Sequence, residues 1–189
     1  MSDFPLNYKI QLLEAIETID LEKVSRAIEL FREAREQGRR IFVCGNGGSA
    51  STASHFACDM VKGASYRRES RFRILALTDA LPTITAYAND VSYDAVFVEP
   101  LKNFAEPGDL LMAISGSGNS PNVLRAIEYA RGRGLRTIAL TGRDGGKLGP
   151  LAELNIQASV PHMGRIEDVH MIVCHMIGYC FMEEEAGNR

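Results

Sequence analysis

A three-layer αβα sandwich around a five-stranded parallel sheet, preceded by a helical pair, is the fold this sequence predicts, and three observations predict it. Five short apolar runs, each bounded by turn residues, are separated by segments long enough to hold a helix. Two of the runs break into glycine-serine loops that lead into helical patterns. Parallel neighbours need crossover connections, and these are right-handed, so strands alternating with helices wind onto both faces of one sheet.

The elements follow in order. Helical patterns open the chain around 6–17 and 21–37; in the second, Val24, Ala27, Ile28, Phe31 and Ala34 recur at helical spacing and Gly38 supplies the stop. The strands are RIFVC at 40–44, RILALT at 73–78, DLLMAIS at 109–115, RTIALT at 136–141 and NIQASV at 155–160. A last helix over 165–182 is apolar around much of its circumference, which predicts a partner surface from another subunit. No Pro-, Ser- or Gln-rich linker divides the chain, so 1–189 reads as one domain, with 1–38 as the helical pair and 39–189 as the α/β core. The polar stretch 183–189 reads as a frayed tail.

Composition narrows the function. The 189 residues are 46% hydrophobic and 24% charged, enough for an ordinary core, and a net charge of −3 gives no general attraction to nucleic acid. Arginines at 67, 68, 71 and 73 form a local cluster that reads as solvated surface, or as a phosphate or subunit contact. Cysteines at 44, 58, 174 and 180 lack metal spacing, and three fall in segments that read as buried, as suits reduced thiols in a cytoplasmic protein. The N-terminal residues show no signal-peptide pattern, and no apolar run reaches membrane-spanning length, so neither secretion nor a membrane partner is expected.

The chemistry gathers in the loops, because an open parallel sheet binds ligands beyond the carboxyl ends of its strands. Ser115-Gly116-Ser117-Gly118-Asn119-Ser120 offers three hydroxyls and two glycines, and Pro121 suits the first turn of a helix whose dipole favours an anion. That predicts a phosphate cradle. A tight turn with N-caps is the plainer reading of one such loop, but a second follows the first strand. The loop has neither the lysine of a nucleotide P-loop nor the spacing of a dinucleotide fingerprint. In the first loop, counting from an N-cap near Ser49, His55 and Asp59 lie four apart on one helical face, as a metal pair, a proton-transfer pair or a plain ion pair. Glu167 and His175 on the last helix lie two turns apart, roughly 80° around the axis. Together the two helices offer His55, Asp59, Glu167 and His175, two histidines and two carboxylates that could hold a divalent cation. His170 reads as a packing or interface histidine and His162 as a solvent-facing loop residue.

In order, CGNGGSASTASHFACDM, AND at 88–90, SGSGNS at 115–120, ALTGRDGG at 139–146 and RIEDVHMIVCH at 165–175 resemble the sugar isomerase (SIS) domain family, most closely its phosphoheptose isomerase branch. The resemblance spans nearly the whole chain. It implies a flavodoxin-like SIS domain, and a cytoplasmic homotetramer with active sites at subunit interfaces and the N-terminal helices used in assembly. The implied activity is conversion of sedoheptulose 7-phosphate to a glycero-manno-heptose 7-phosphate for cell-surface heptose synthesis. Carried across, Ser115, Gly116, Ser117 and Ser120 hold the phosphate, Asn46, Gly47 and Ser49 line the sugar pocket, and Asn89 and Asp90 meet sugar hydroxyls. Asp59 stands where the branch has a glutamate base, Glu167 where it usually has glutamine, and His175 at its second acid/base group. His55 matches a zinc ligand of metal-binding members, so zinc on His55, Asp59, Glu167 and His175 is expected, with Asp59 or Glu167 as base. Gly164 falls where an aspartate is common and Gly63 where an arginine is. Relatives of this fold also include non-catalytic tetramers, among them a replication-initiation partner, but these lack a match to His175; isomerisation of a different phosphorylated sugar is the other alternative.

Overall fold

The computed structural model describes residues 3–184, so 185–189 of the expected polar tail lie outside it. Helices α1 (Phe4–Glu17) and α2 (Leu21–Glu36) precede the sheet. In α2 the Asp20 side chain accepts from the Lys23 amide at 3.1 Å, capping the first turn. The helix stops at Gly38, whose φ of +63° lets the Arg39 amide reach Ala34 O at 2.8 Å while the Gly38 amide reaches Arg35 O at 3.1 Å.

Five parallel strands follow: β1 (Arg40–Gly45), β2 (Arg73–Ala76), β3 (Leu110–Ser115), β4 (Arg136–Gly142) and β5 (Leu154–Ala158), in spatial order β2-β1-β3-β4-β5. Between them lie α3 (Gly48–Cys58), running into a π-helical turn at Asp59–Gly63, then α4 (Leu81–Asp90), α5 (Val98–Phe104), α6 (Pro121–Gly132) and α7 (Leu148–Leu151); α8 (Met163–Glu184) closes the chain. All five expected strands form; β2 ends two residues earlier than expected because Leu77–Asp79 tightens into a 3₁₀ turn.

Side chains alternate between two cores. Ile41 and Val43 face a cluster with Phe31 of α2, Phe56 of α3 and Phe181 of α8; Phe42 and Cys44 face a second cluster with Leu101 of α5 and Val123 and Ile127 of α6. α8 spends much of its apolar surface, Ile166, Val169, Val173, Ile177 and Phe181, on the first of these cores within its own chain. Tyr179 is left about half exposed. Only Cys44 and Cys174 are buried; Cys58 is exposed and Cys180 half-buried, because the latter two face outward from their helices. Burial pushes the Cys44 thiol up to about 12 and the Cys174 thiol higher still, so neither is reactive.

The arginine cluster has a structural use. Arg68 donates to Phe181 O at 2.6 Å and Met182 O at 3.1 Å, supplying donors to the carbonyls that end α8, and Arg73 donates to Gly38 O at 2.9 Å. Among the described residues, no helix is long and apolar enough to cross a membrane.

Phe31 is fully buried, with its ring edge-on to Phe56 at 5.4 Å between centroids and tilted against Phe72 at 6.5 Å. Phe31→Ala is therefore expected to lower the unfolding free energy by about 3–5 kcal/mol, read by denaturant titration.

Candidate active site

β1 and β3 are sheet neighbours whose following helices pack on opposite faces, so the loops beyond them part and leave a crevice between them. A cavity of about 250 Å³ opens there. Ser115, Gly116, Ser117 and Ser120 line it on one side, and Asn46, Gly47, Gly48 and Ser49 on another. Met163 and Glu167 reach in from the first turns of α8.

The serine loop is wound tight. Ser115 Oγ lies 3.4 Å from both Ser117 Oγ and Ser120 Oγ, so three hydroxyls converge on one point. Ser120 is the N-cap of α6 but makes no capping bond with its hydroxyl, and Pro121 sits in the first turn. That hydroxyl, in contact with Ser115 Oγ alone at 3.4 Å, and the N-terminus of α6 suit a phosphate. A Cβ on Gly118 would lie 2.2 Å from Gly145 O, so the turn after β4 packs directly beneath the loop. Leu148 N and Lys147 N bond to Gly118 O at 2.9 Å and Asn119 Oδ1 at 3.2 Å, holding the loop from below.

The other wall is fixed by a pair of amides. Asn46 and Asn122 exchange hydrogen bonds at 2.8 and 2.9 Å, and Tyr93 O–H adds a third to Asn46 at 2.9 Å. Helix α3 starts at Gly48 with Gly47 (φ +55°) as N-cap, a residue or two ahead of the Ser49 cap expected from sequence. Ser49 is therefore inside the first turn, and its side chain lies almost buried at the cavity wall.

A second group sits further along the same helices. His55 Nε2 is 3.2 Å from Asp59 Oδ2 and 3.3 Å from His175 Nε2, and His175 Nε2 is 3.8 Å from Asp59 Oδ2. α3 and α8 run side by side in the same direction: Gly48 faces Glu167, His55 and Asp59 face His175, and Gly63 faces Met182. The donor triangle can be tested against a metal. Zinc bound tetrahedrally at about 2.0–2.1 Å holds its donors roughly 3.3–3.4 Å apart, and edges of 3.2, 3.3 and 3.8 Å fit that. Two imidazoles and one carboxylate are also a donor set zinc accepts.

The structure therefore brings together most of the expected site residues. Three fall elsewhere. Glu167 is not in the His55–Asp59–His175 group; its carboxylate rests on Gly48, where an added Cβ would lie 2.3 Å from Oε1. The two-histidine, two-carboxylate set is thus three donors, because Glu167 sits two turns before His175 on a straight helix. Asn89 and Asp90 are exposed at the end of α4, bonded to each other at 2.7 Å, and Asp90 lines a separate cavity with Pro82, Tyr87 and Val91. Within the protomer they do not reach the serine loop. Sequence reasoning missed Asn122, Tyr93 and Met163; a buried Asn in the first turn of an amphipathic helix was the available signal for Asn122. His162 is exposed, edge-on to Tyr8, as expected.

Comparison with known proteins agrees with this layout. The SIS domain family model matches residues 6–142. A phosphoheptose isomerase of Alteromonas mediterranea is 41% identical over 174 residues, covering 90% of this chain and 87% of that protein. The solved phosphoheptose isomerase of Neisseria gonorrhoeae superposes with a TM-score of 0.85 at 34% identity, over 93% of this chain and 94% of that one. That of Francisella tularensis gives 0.87 at 25% identity, over 97% and 100%.

Two bonds steer α8 toward the cavity: Tyr8 O–H donates to Asp168 at 2.6 Å, and buried His170 meets Thr141 O through Nε2 at 2.9 Å. His170 Nδ1 is buried without a partner, so a second ring proton would be stranded there. Burial accordingly lowers the His170 pKa to about 4, the Thr141 carbonyl opposing it only in part. Above the unfolded value near 6.5 both states are neutral and this residue's contribution is whole. As pH falls from about 6.5 to 4 the unfolded chain takes up a proton the folded one refuses, and roughly 3 kcal/mol of stability is lost. His170→Gln should flatten that limb of a denaturation series run from pH 7 to 4.

Proposed function

The chain belongs to the SIS domain family, in its phosphoheptose isomerase branch, and from that footing we propose that it converts sedoheptulose 7-phosphate to D-glycero-D-manno-heptose 7-phosphate. The observation that carries the residue-level reading is the shared seam of α3 and α8, with a hydroxyl-lined phosphate cradle at one end and the His55–Asp59–His175 group further along. His55 is seven residues beyond Gly48, and His175 eight beyond Glu167, or about 10–12 Å of helix. An extended chain advances roughly 1.2 Å per bond, so the seven bonds from phosphorus to C2 of a heptulose 7-phosphate span about 8–9 Å. A long phosphosugar lying along the seam would bring its carbonyl end to the histidines.

The reaction moves one proton from C1 to C2 and one from O1 to O2 through an enediolate. Asp59 turns Oδ2 to both imidazoles, which leaves Oδ1 to lift the C1 proton and return it at C2. His175 turns Nε2 to the same group, which leaves Nδ1 to protonate O2 as the charge develops there and to accept the O1 proton as the aldehyde forms. Serine-loop contacts to the remote phosphate hold these carbons in register with the two groups. His55, Asp59 and His175 would hold zinc, and such an ion supplies Lewis acidity at the carbonyl oxygen.

Assembly belongs to the same proposal. Leu6, Ile10 and Leu13 form an exposed apolar stripe on α1 at i, i+4, i+7 spacing, and α4 buries no residue fully, with only Ile84 and Tyr87 partly packed on the second core. Both faces suit contact with further copies in a cytoplasmic homotetramer, and a neighbouring copy is the route by which Asn89 and Asp90 would come to a sugar.

Incubation with sedoheptulose 7-phosphate should give the aldose, and a chelator should suppress turnover. Asp59→Asn and His175→Asn should each slow turnover by about 10²–10⁴-fold, whereas Ser117→Ala should act chiefly by raising KM. Full turnover in both Asp59→Asn and His175→Asn would remove them from the chemistry.

A further inference from the structure

His175 has to aim two nitrogens at once, and little in the site fixes its direction. Its Nε2 meets His55 and Asp59, while Nδ1 makes no hydrogen bond among the described residues. A histidine that holds a metal is ordinarily oriented through its second ring nitrogen, which donates to a carboxylate or a carbonyl. Here that nitrogen is the one the proton transfers need, so a protein acceptor on it would orient the ring and block it together. Core packing does not hold the ring either, because the side chain is 42% exposed.

Two aromatic contacts remain. His55 of α3 stands 5.3 Å from the His175 ring between centroids at 62°, and Tyr179 of α8 stands 5.7 Å away at 84°, edge to face. Helix geometry produces the second contact. Residues four apart share a face, and each Cα–Cβ bond tilts toward the helix N-terminus, so Tyr179 leans back over the turn that carries His175. Its hydroxyl makes no hydrogen bond among the described residues and the residue is 49% exposed, so neither a polar anchor nor the core accounts for where the ring lies. We propose that Tyr179 is a positioning residue: its ring backs the His175 imidazole, keeping Nε2 in the triangle with His55 and Asp59 and leaving Nδ1 free for the substrate. The inference rests on the isomerase reading above and deepens it. An aromatic contact suits the task because it limits rotation of the imidazole without engaging either nitrogen. A ring already held in place also loses less freedom when Nε2 takes a metal.

The test separates positioning from substrate contact and from a general defect. Wild type, Tyr179→Ala and Tyr179→Phe are titrated with zinc, titrated with inorganic phosphate as a probe of the serine loop, and assayed with sedoheptulose 7-phosphate at limiting and at saturating zinc. Tyr179→Ala should bind zinc about 2- to 10-fold more weakly, the factor an edge-to-face aromatic pair supplies. Its turnover should fall at limiting zinc and recover at saturating zinc, where the bound ion holds Nε2 in place of the ring, with KM and phosphate affinity unchanged. Tyr179→Phe keeps the ring and should match the wild type throughout. In a His175→Asn background, Tyr179→Ala should cost no further zinc affinity, because the group it positions is gone. If the wild type turns over without taking up zinc, the same factor should appear as a loss of kcat at unchanged KM.

Wild-type zinc affinity and turnover in Tyr179→Ala would overturn the proposal. So would a Tyr179→Phe variant as impaired as Tyr179→Ala, which would assign the role to the hydroxyl. A raised KM that persists at saturating zinc would place Tyr179 on the substrate instead, and a parallel loss of phosphate affinity would mark a general defect; either result overturns it. Should Tyr179→Ala fail to fold, Tyr179→Leu, which fills the place without an aromatic ring, decides in its stead with the same losses expected. A wild type that leaves sedoheptulose 7-phosphate untouched would sink the isomerase reading, while the zinc titrations would still decide on Tyr179. One that neither turns it over nor binds zinc would take this inference down together with the site.

Discussion

The adjacency of β1 and β3 is the constraint on which the rest depends. Because the chain reverses its winding there, the helix after β1 packs on one face and the helix after β3 on the other, and no connection crosses the gap between their loops. Each loop then contributes a different chemistry to one crevice. The loop after β3 gives hydroxyls and the amides of an N-terminus; the loop after β1 gives a helix that carries reactive side chains away along its length. The reciprocal amide pair of Asn46 and Asn122 ties the two loops together, so the crevice is held at a fixed width by about two modest hydrogen bonds, each worth roughly 1 kcal/mol net but costly to leave half-made.

Parallel packing of α3 and α8 turns that crevice into a track. α8 is placed by buried apolar contacts, by Tyr8 at its start and by Arg68 at its end, so its register against α3 is set from both ends. Register matters because successive faces of α8 repeat every two turns: Glu167 and His175 each meet α3, but at different stations. A slip of one residue would rotate every side chain by about 100° and dismantle both stations together. The bonds that look structural, Tyr8 to Asp168 and His170 to Thr141, are for this reason part of what the site requires.

The sheet was legible because five apolar runs bounded by turn residues have few alternatives, and α2 because its periodicity and its Gly38 stop agree. For the serine loop composition left a plain tight turn with N-caps open, and it was the second glycine-serine loop after the first strand that pointed to a shared crevice, which both loops line. Spacing also placed His55 with Asp59, and the pairing with His175 needed only that two helices meet. What spacing could not supply was axial position. An i, i+8 relation tells which way a side chain points and not how far along the neighbouring helix it lands, so Glu167 was grouped with donors about two turns distant. Asn89 and Asp90 illustrate a different limit: the motif they belong to says nothing of the chain that completes it, and in the protomer Asp90 lines another cavity. Arg67, Arg71 and Arg73 are exposed as read from the sequence, but the use of Arg68 was not legible, because carbonyl groups at helix ends leave no mark in a sequence.

The π-helical turn beginning at Asp59 joins these threads. Ala64 N reaches back five residues to Asp59 O at 3.0 Å, so the helix admits one extra residue where the site ends. An uninterrupted α-helix would keep the face that bears His55 and Asp59 turned toward α8 for another turn, with Gly63 following at i+4. The wider turn keeps Met60 buried beside Gly178, and it ends at Gly63, a position without a side chain on which Met182 can rest. The polar group thus stops abruptly at Asp59, and apolar packing resumes immediately beyond it. An aspartate, one methylene shorter than a glutamate, still reaches both histidines because the two helix backbones are close at this point, held by the apolar contacts on its far side.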